Sequence, residues 1–283
     1  VSALLGGAVS CSKPATTIDL TGWKLTLPAA GDGGKAGEVE PAEVTEPWTT
    51  VTDDGALEFW APASGGATTA NSSHPRTELV SLTNFRAGMD AHILRASVTV
   101  LQVPRDGEGV IVGQIHGAAD IKSVPYVMLR YQGGAVHVVV KNLRKGLDRE
   151  FYPLLEGVPL NSPFDFTLAD RGNGELVFTG TQAGRTSEVR APVPAAFVGA
   201  TVRFQAGNYQ QSDRPEGDDD GGRVIFHRLT EAAENPAGSP PVTSAVPPGA
   251  HLTGPPGAEP TAPPVAEPTA PAAVPPGGYS APR

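Results

Sequence analysis

Three short stretches of this chain put polar side chains where a strand packed between two sheets would carry apolar ones. In "RTELV", alternation with period two sends Arg76, Glu78 and Val80 to one face, and in "GVIVGQIHG" it sends Gln114 and His116 to one face and Ile115 to the other. In "RFQAGNYQQ" the like-facing set is Arg203, Gln205, Gly207, Tyr209 and Gln211, with Phe204 and Ala206 turned away. "MLRYQ" adds Arg130 and Gln132, "HVVVKN" adds Lys141, and Tyr126 or Tyr131 could join Tyr209 as an aromatic surface.

If these strands are neighbours in one curved sheet, they line a concave groove with Arg, Gln, His, Tyr and Lys. An open groove suits a polymer, and its donors suit carboxylates and hydroxyls, since arginine grips a carboxylate through two parallel hydrogen bonds. His116 is the side chain most easily poised as a base near neutral pH, and Tyr209 can give or take a proton at an alkoxide-like oxygen. Arg76 and Gln114 can hold a carboxylate and spread the charge that develops on it. Together these are the parts for abstracting the proton α to a uronate carboxyl group and expelling the 4-linked sugar by β-elimination. That reaction requires no metal, no cofactor and no nucleophile.

Groups so far apart in sequence meet only if strands carry them. "WKLTLP", "ALEFWAP", "HILRASVTVLQV", "PYVMLRYQ", "AVHVVVKNL", "FDFTLAD", "ELVFTG" and "RVIFHRL" are short runs, several of them alternating, punctuated by Gly, Pro and Asp. With 34 Gly and 29 Pro the chain is not a helical protein. Many antiparallel strands at this spacing predict an all-β sandwich or jelly roll of two sheets over one core, spanning residues 16–234. Residues 235–283 repeat "AEPTAP" and hold hardly any large apolar side chain, which predicts a disordered Pro-rich tail. Residues 1–15 read as a signal remnant or N-terminal linker, because "ALLGGAVS" resembles the end of an export signal. "AVSC" also resembles the pattern before a lipidated cysteine, so Cys11 is a candidate lipid anchor on a secreted or cell-surface protein.

A net charge of −9 argues against a nucleic-acid partner, so an acidic polymer must be met by a local basic patch. One cysteine excludes an intrachain disulfide, and no run of eighteen apolar residues offers a membrane span. No strand shows the pair of carboxyl groups on one face that a glycoside hydrolase needs. The acidic run "EGDDDGG" lacks the spacing of a calcium loop and the histidines lack metal-ligand spacing, so no metal is expected. A monomer is the default. The competing reading is a carbohydrate-binding protein that uses the same groove without cutting.

"RTEL", "QIH" and "AGNYQQ", in this order on an all-β chain, resemble the three signature regions of the alginate lyases of polysaccharide lyase family 7. The resemblance spans roughly Trp23 to Leu229 and implies a β-jelly roll with a concave substrate groove, followed here by the tail. It implies that Arg76 and Gln114 neutralise the substrate carboxylate, that His116 is the base, and that Tyr209 is the catalytic tyrosine. Glu78 would orient Arg76, with Arg130, Lys141, Arg203, Gln205 and Gln211 as further substrate contacts. Val80 stands where the family usually has a second arginine, and Arg203 and Gln205 stand where it usually has tyrosine and lysine. These departures leave open another polyuronate, such as a glucuronan, beside alginate.

Overall fold

The structure is a computed structural model that describes residues 14–70 and 72–234. Cys11 with its proposed anchor, the rest of residues 1–13, and the Pro-rich segment 235–283 lie outside the described residues. In chain order the strands are β1 (Trp23–Ala30), β2 (Ala36–Val39), β3 (Thr49–Val51), β4 (Leu57–Pro62), β5 (Arg76–Ser81), β6 (Phe85–Arg86), β7 (Ala91–Gln102) and β8 (Val110–Gly117). They continue with β9 (Pro125–Gln132), β10 (Ala135–Lys141), β11 (Arg149–Leu155), β12 (Pro163–Arg171), β13 (Glu175–Gln182), β14 (Arg185–Pro192), β15 (Thr201–Gln210) and β16 (Gly221–Ala233). Two short 3-10 turns are the only helical elements among the described residues, and no helix there is long and apolar enough to cross a membrane.

Two antiparallel sheets form. One has the order β11-β10-β9-β8-β15-β5-β1-β2, with β6 also paired to β15; the other runs β14-β13-β12-β7-β16-β4-β3. This two-sheet β-jelly roll packs its core between the layers, where Phe59, Phe164, Phe166, Phe178, Phe204 and Phe226 are fully buried. Burying so much apolar surface is the dominant favourable term for a fold nearly without helix. Tyr126 and Tyr131 belong to this core and not to the groove. Tyr126 stacks on Phe197 at 4.3 Å between ring centroids, and the Tyr131 hydroxyl donates to the Val158 carbonyl at 2.8 Å. Tyr131 shares the alternation of Leu129, whereas Tyr126, three residues before Leu129, enters the core out of that period.

The strands bearing the three signature stretches are adjacent, because β15 lies between β8 and β5. Two irregularities aim their side chains. Against β9, β8 inserts one extra residue between Ile111 and Gly113, so Val112 joins the core and a Cβ on Gly113 would meet core Phe166 at 3.0 Å. This bulge resets the alternation, turning Gln114 and His116 out of the core while Ile115 stays in it. On β15 a second bulge relative to β8 lies between Ala206 and Tyr209. Gly207 sits there at φ 151°, where a Cβ would lie 2.6 Å from the Thr77 carbonyl oxygen, so only glycine allows β15 this close to β5.

The bulged segment is fastened to the opposite sheet. The Asn208 side-chain amide donates to the carbonyls of Phe59 (3.2 Å) and Gly222 (2.5 Å), and its register partner Thr77 donates to the Trp60 carbonyl at 2.5 Å. These bonds cross the core beneath Tyr209 and Arg76. Replacing Asn208→Ala leaves two buried carbonyls without that donor and should cost about 1–3 kcal/mol in urea unfolding. A loss below the error of the measurement would show that the two sheets hold this segment without it.

Candidate active site

The outer face of β8, β15 and β5 forms the floor of a cavity of about 420 Å³, lined by Arg76, Glu78, Val80, Gln114, His116, Arg203, Gln205 and Tyr209. Register explains the convergence. Gln205 pairs with Gln114 on one side and Val80 on the other, Arg203 pairs with His116, and Tyr209 pairs with Arg76.

Glu78 is wholly buried at the centre. Its carboxylate accepts from Arg76 Nη1 at 3.2 Å and from Gln114 Nε2 at 2.6 Å. Burial raises its pKa, against the opposing pull of Arg76, of the hydrogen bond from Gln114 and of Arg203. Gln114 gives its other amide hydrogen to Gln205 Oε1 at 3.1 Å and leaves Oε1 buried without a partner. Arg76 Nε and Arg203 Nε are likewise buried and unpartnered. Such groups are costly unless a ligand meets them, and Arg76 and Arg203 both line the cavity.

Arg76 also stacks on Tyr209, with Cζ 3.5 Å from the ring centroid. The Tyr209 hydroxyl lies 2.9 Å from Ser72 Oγ. Ser72 donates its one hydrogen to the His74 carbonyl at 3.0 Å and accepts from the His74 amide, which leaves Tyr209 as the donor to Ser72. His116 Nδ1 lies 3.0 Å from the Gly117 carbonyl, which can only accept, so Nδ1 carries the hydrogen and Nε2 is the free lone pair. Burial first, then Arg76 and Arg203, lower the His116 pKa to about 4 despite the opposing Gly117 bond, so the ring is a neutral base at neutral pH.

Beyond Tyr209 the groove continues into a second hollow of about 330 Å³, which includes Lys141 and Gln211. Arg130 is the exception among the predicted contacts. Its guanidinium is taken by Glu108, through the backbone carbonyl at 2.9 Å and the carboxylate at 2.8 Å, and it lines neither hollow. Nothing in "MLRYQ" announces that distant acidic partner. In the acidic run, Asp220 turns inward and accepts the backbone amides of Arg105 (2.9 Å) and Glu216 (2.8 Å), a loop-bracing role. Several lining residues were missed. Lys24, ion-paired to Glu38 at 2.7 Å, and Thr26 were readable from the alternation of "WKLTLP", but Ser72, His74 and Lys122 sit outside any strand period.

A two-sheet jelly roll whose groove combines a clamped arginine, a glutamine, a neutral histidine and a tyrosine defines a polysaccharide lyase. The chain belongs to the alginate lyase family, whose model matches residues 18–232. It is 25% identical to an alginate lyase of Klebsiella pneumoniae, over 76% of this chain and 90% of that protein. Among solved structures it is similar to an alginate lyase of Pseudomonas aeruginosa, with 26% identity, a TM-score of 0.66, and 76% and 100% of the two chains covered. It is also similar to the family 7 alginate lyase A1-II' solved in complex with substrate, with 28% identity, a TM-score of 0.65, and coverage of 79% and 97%.

Titrating the His116 ring by NMR should give a midpoint near the value of about 4, and Arg203→Gln should move it upward by removing a nearby positive charge. A midpoint at the ordinary histidine value, unmoved by the substitution, would contradict the site's electrostatics.

Proposed function

We propose that this enzyme cuts a 1,4-linked uronate polymer, with alginate as the expected substrate, by β-elimination in the groove of β5, β8 and β15. The observation that carries the reading is the convergence of Arg76, Gln114, His116 and Tyr209 around one buried carboxylate in a chain of the alginate lyase family.

Arg76 faces the substrate carboxylate with its buried Nε free, and Gln114 exchanges its 3.1 Å contact with Gln205 for a carboxylate oxygen while keeping the 2.6 Å bond to Glu78. Both withdraw charge and make the C5 proton removable. His116 Nε2 takes that proton, or the Tyr209 oxygen takes it as the phenolate left once its own hydrogen has passed to solvent. The electrons of the C5–H bond form the C4=C5 double bond, the C4–O4 bond breaks, and Tyr209 protonates the departing oxygen. Whether His116 or Tyr209 serves as base follows from whether the proton lies anti or syn to the leaving group. Ser72 then supports the phenolate by turning its hydroxyl from the His74 carbonyl toward Tyr209.

The continuation of the groove on both sides of Tyr209 supports endolytic cutting, since a long chain can cross without threading an end. All these groups come from one chain, which supports a monomer. A polymeric substrate and the export-like "ALLGGAVSC" support a secreted or surface location, with Cys11 as the point of lipid attachment. Val80 in the cavity wall and Arg203 beside His116 depart from the contacts usual in the resembled family, which keeps another polyuronate, such as a glucuronan, as the second substrate reading.

Polymannuronate, polyguluronate, mixed alginate, glucuronan and hyaluronan incubated with the protein will separate these readings by ultraviolet absorbance of the unsaturated product. An alginate should give the fastest rise, and Tyr209→Phe and His116→Ala should each lose about 100-fold or more. Binding to one polymer without any absorbance would instead make this a carbohydrate-binding protein.

A further inference from the structure

The sheet floor extends well beyond the catalytic centre. From Gln114 the register runs to Met128 on β9, Val139 on β10 and Phe151 on β11, so these four side chains form one cross-strand row on the groove face. At a strand spacing of about 4.8 Å the row carries Phe151 roughly 14 Å from Gln114. Val139 is buried yet lies outside the core cluster, and Phe151, at the end of the row, is 55% exposed. Phe151 lines neither hollow but lies on the same face at the sheet edge, against Arg149 of the second hollow, and an exposed phenylalanine there wants an amphipathic partner with an apolar face.

The charges beside it are equally unresolved. Lys141 and Arg149 are direct register partners, two cations opposite each other across β10 and β11. Like charges so placed repel, and neither forms an ion pair with a carboxylate among the described residues. Burial first and Arg149 second lower the Lys141 pKa, the mark of an unneutralised cation. Arg149 also holds the Phe151 ring, with Cζ 5.3 Å from its centroid. Both cations line the second hollow, which shares Tyr209 and Pro125 with the first.

We propose that the β9–β11 side of the groove is a separate saccharide subsite, in which Phe151 stacks under a sugar ring while Lys141 and Arg149 take carboxylates of the same acidic chain. A uronate residue has both features this surface asks for, an apolar C–H ring face and a carboxylate with one negative charge. The inference rests on the central groove being a polyuronate site and adds to it a binding run that only longer chains reach.

The test uses the full chain carrying Tyr209→Phe, so that ligands bind without being cut, and calorimetry with uronate oligosaccharides of increasing length. Adding Phe151→Ala should weaken the octamer about fivefold and leave the trimer nearly unchanged, whereas Phe151→Trp should keep the octamer's affinity. Replacing Lys141→Gln and Arg149→Gln together should flatten the salt dependence of octamer binding. Equal losses at every length, an unchanged octamer, or no binding at any length would overturn the subsite. Turnover by the chain with Tyr209 intact is followed in parallel. Absence of unsaturated product from every uronate polymer would defeat the lyase reading, while the calorimetric series still decides the subsite.

Discussion

A carboxylate removed from water sets the geometry of this site. Taking Glu78 out of solvent costs several kcal/mol unless its oxygens are matched by donors. Arg76 from its own strand and Gln114 from β8 supply them, across the intervening β15. The Gly207 position opposite Glu78 has no side chain, and a Cβ there would come 2.8 Å from the Glu78 Cα. Glycine there lets β15 lie close against the backbone of β5, the strand that carries Glu78. Once Glu78 is held, Arg76 is fixed against Tyr209, and Tyr209 is fixed against Ser72.

The same buried cluster resolves the tension between an acidic chain and an acidic substrate. A net charge of −9 would repel a polyuronate at long range, so attraction must be local. Arg76, Arg203 and Lys122 concentrate positive charge in one hollow, where Glu38 takes up Lys24 and the buried Glu78 neutralises part of the rest. Positive charge has a second effect. Arg76 and Arg203 discourage protonation of His116, keeping its Nε2 available as an acceptor beside them. Binding and basicity therefore depend on the same residues.

Much of the fold and the centre of the site were legible because burial writes itself as alternation. Every strand with a run of apolar side chains was readable, and so was the shared face of Arg76, Glu78, Gln114, His116 and Tyr209. The strands that gave no signal were β2, β3, β11 and β14, together with the two-residue β6. Those four are the outer edges of the two sheets, where one neighbour is missing and exposed positions such as Arg185, Glu188 and Arg190 replace apolar ones. Missing β11 hid Phe151. Arg130 misled for a related reason: alternation gives the face of a side chain but not the partner that captures it, here Glu108. Ser72 and His74 reach Tyr209 from a loop, where no period exists to be read.

The most direct measurement is the rate of unsaturated product formation on alginate by Glu78→Gln, beside its thermal unfolding. The substitution keeps the shape and removes the charge that fixes Arg76 and Gln114, so the rate should fall by about 100-fold or more, and the melting temperature should drop because the buried Arg76 loses its counter-charge. A rate near that of the parent chain, with the fold intact, would contradict the central claim that this buried carboxylate organises the chemistry.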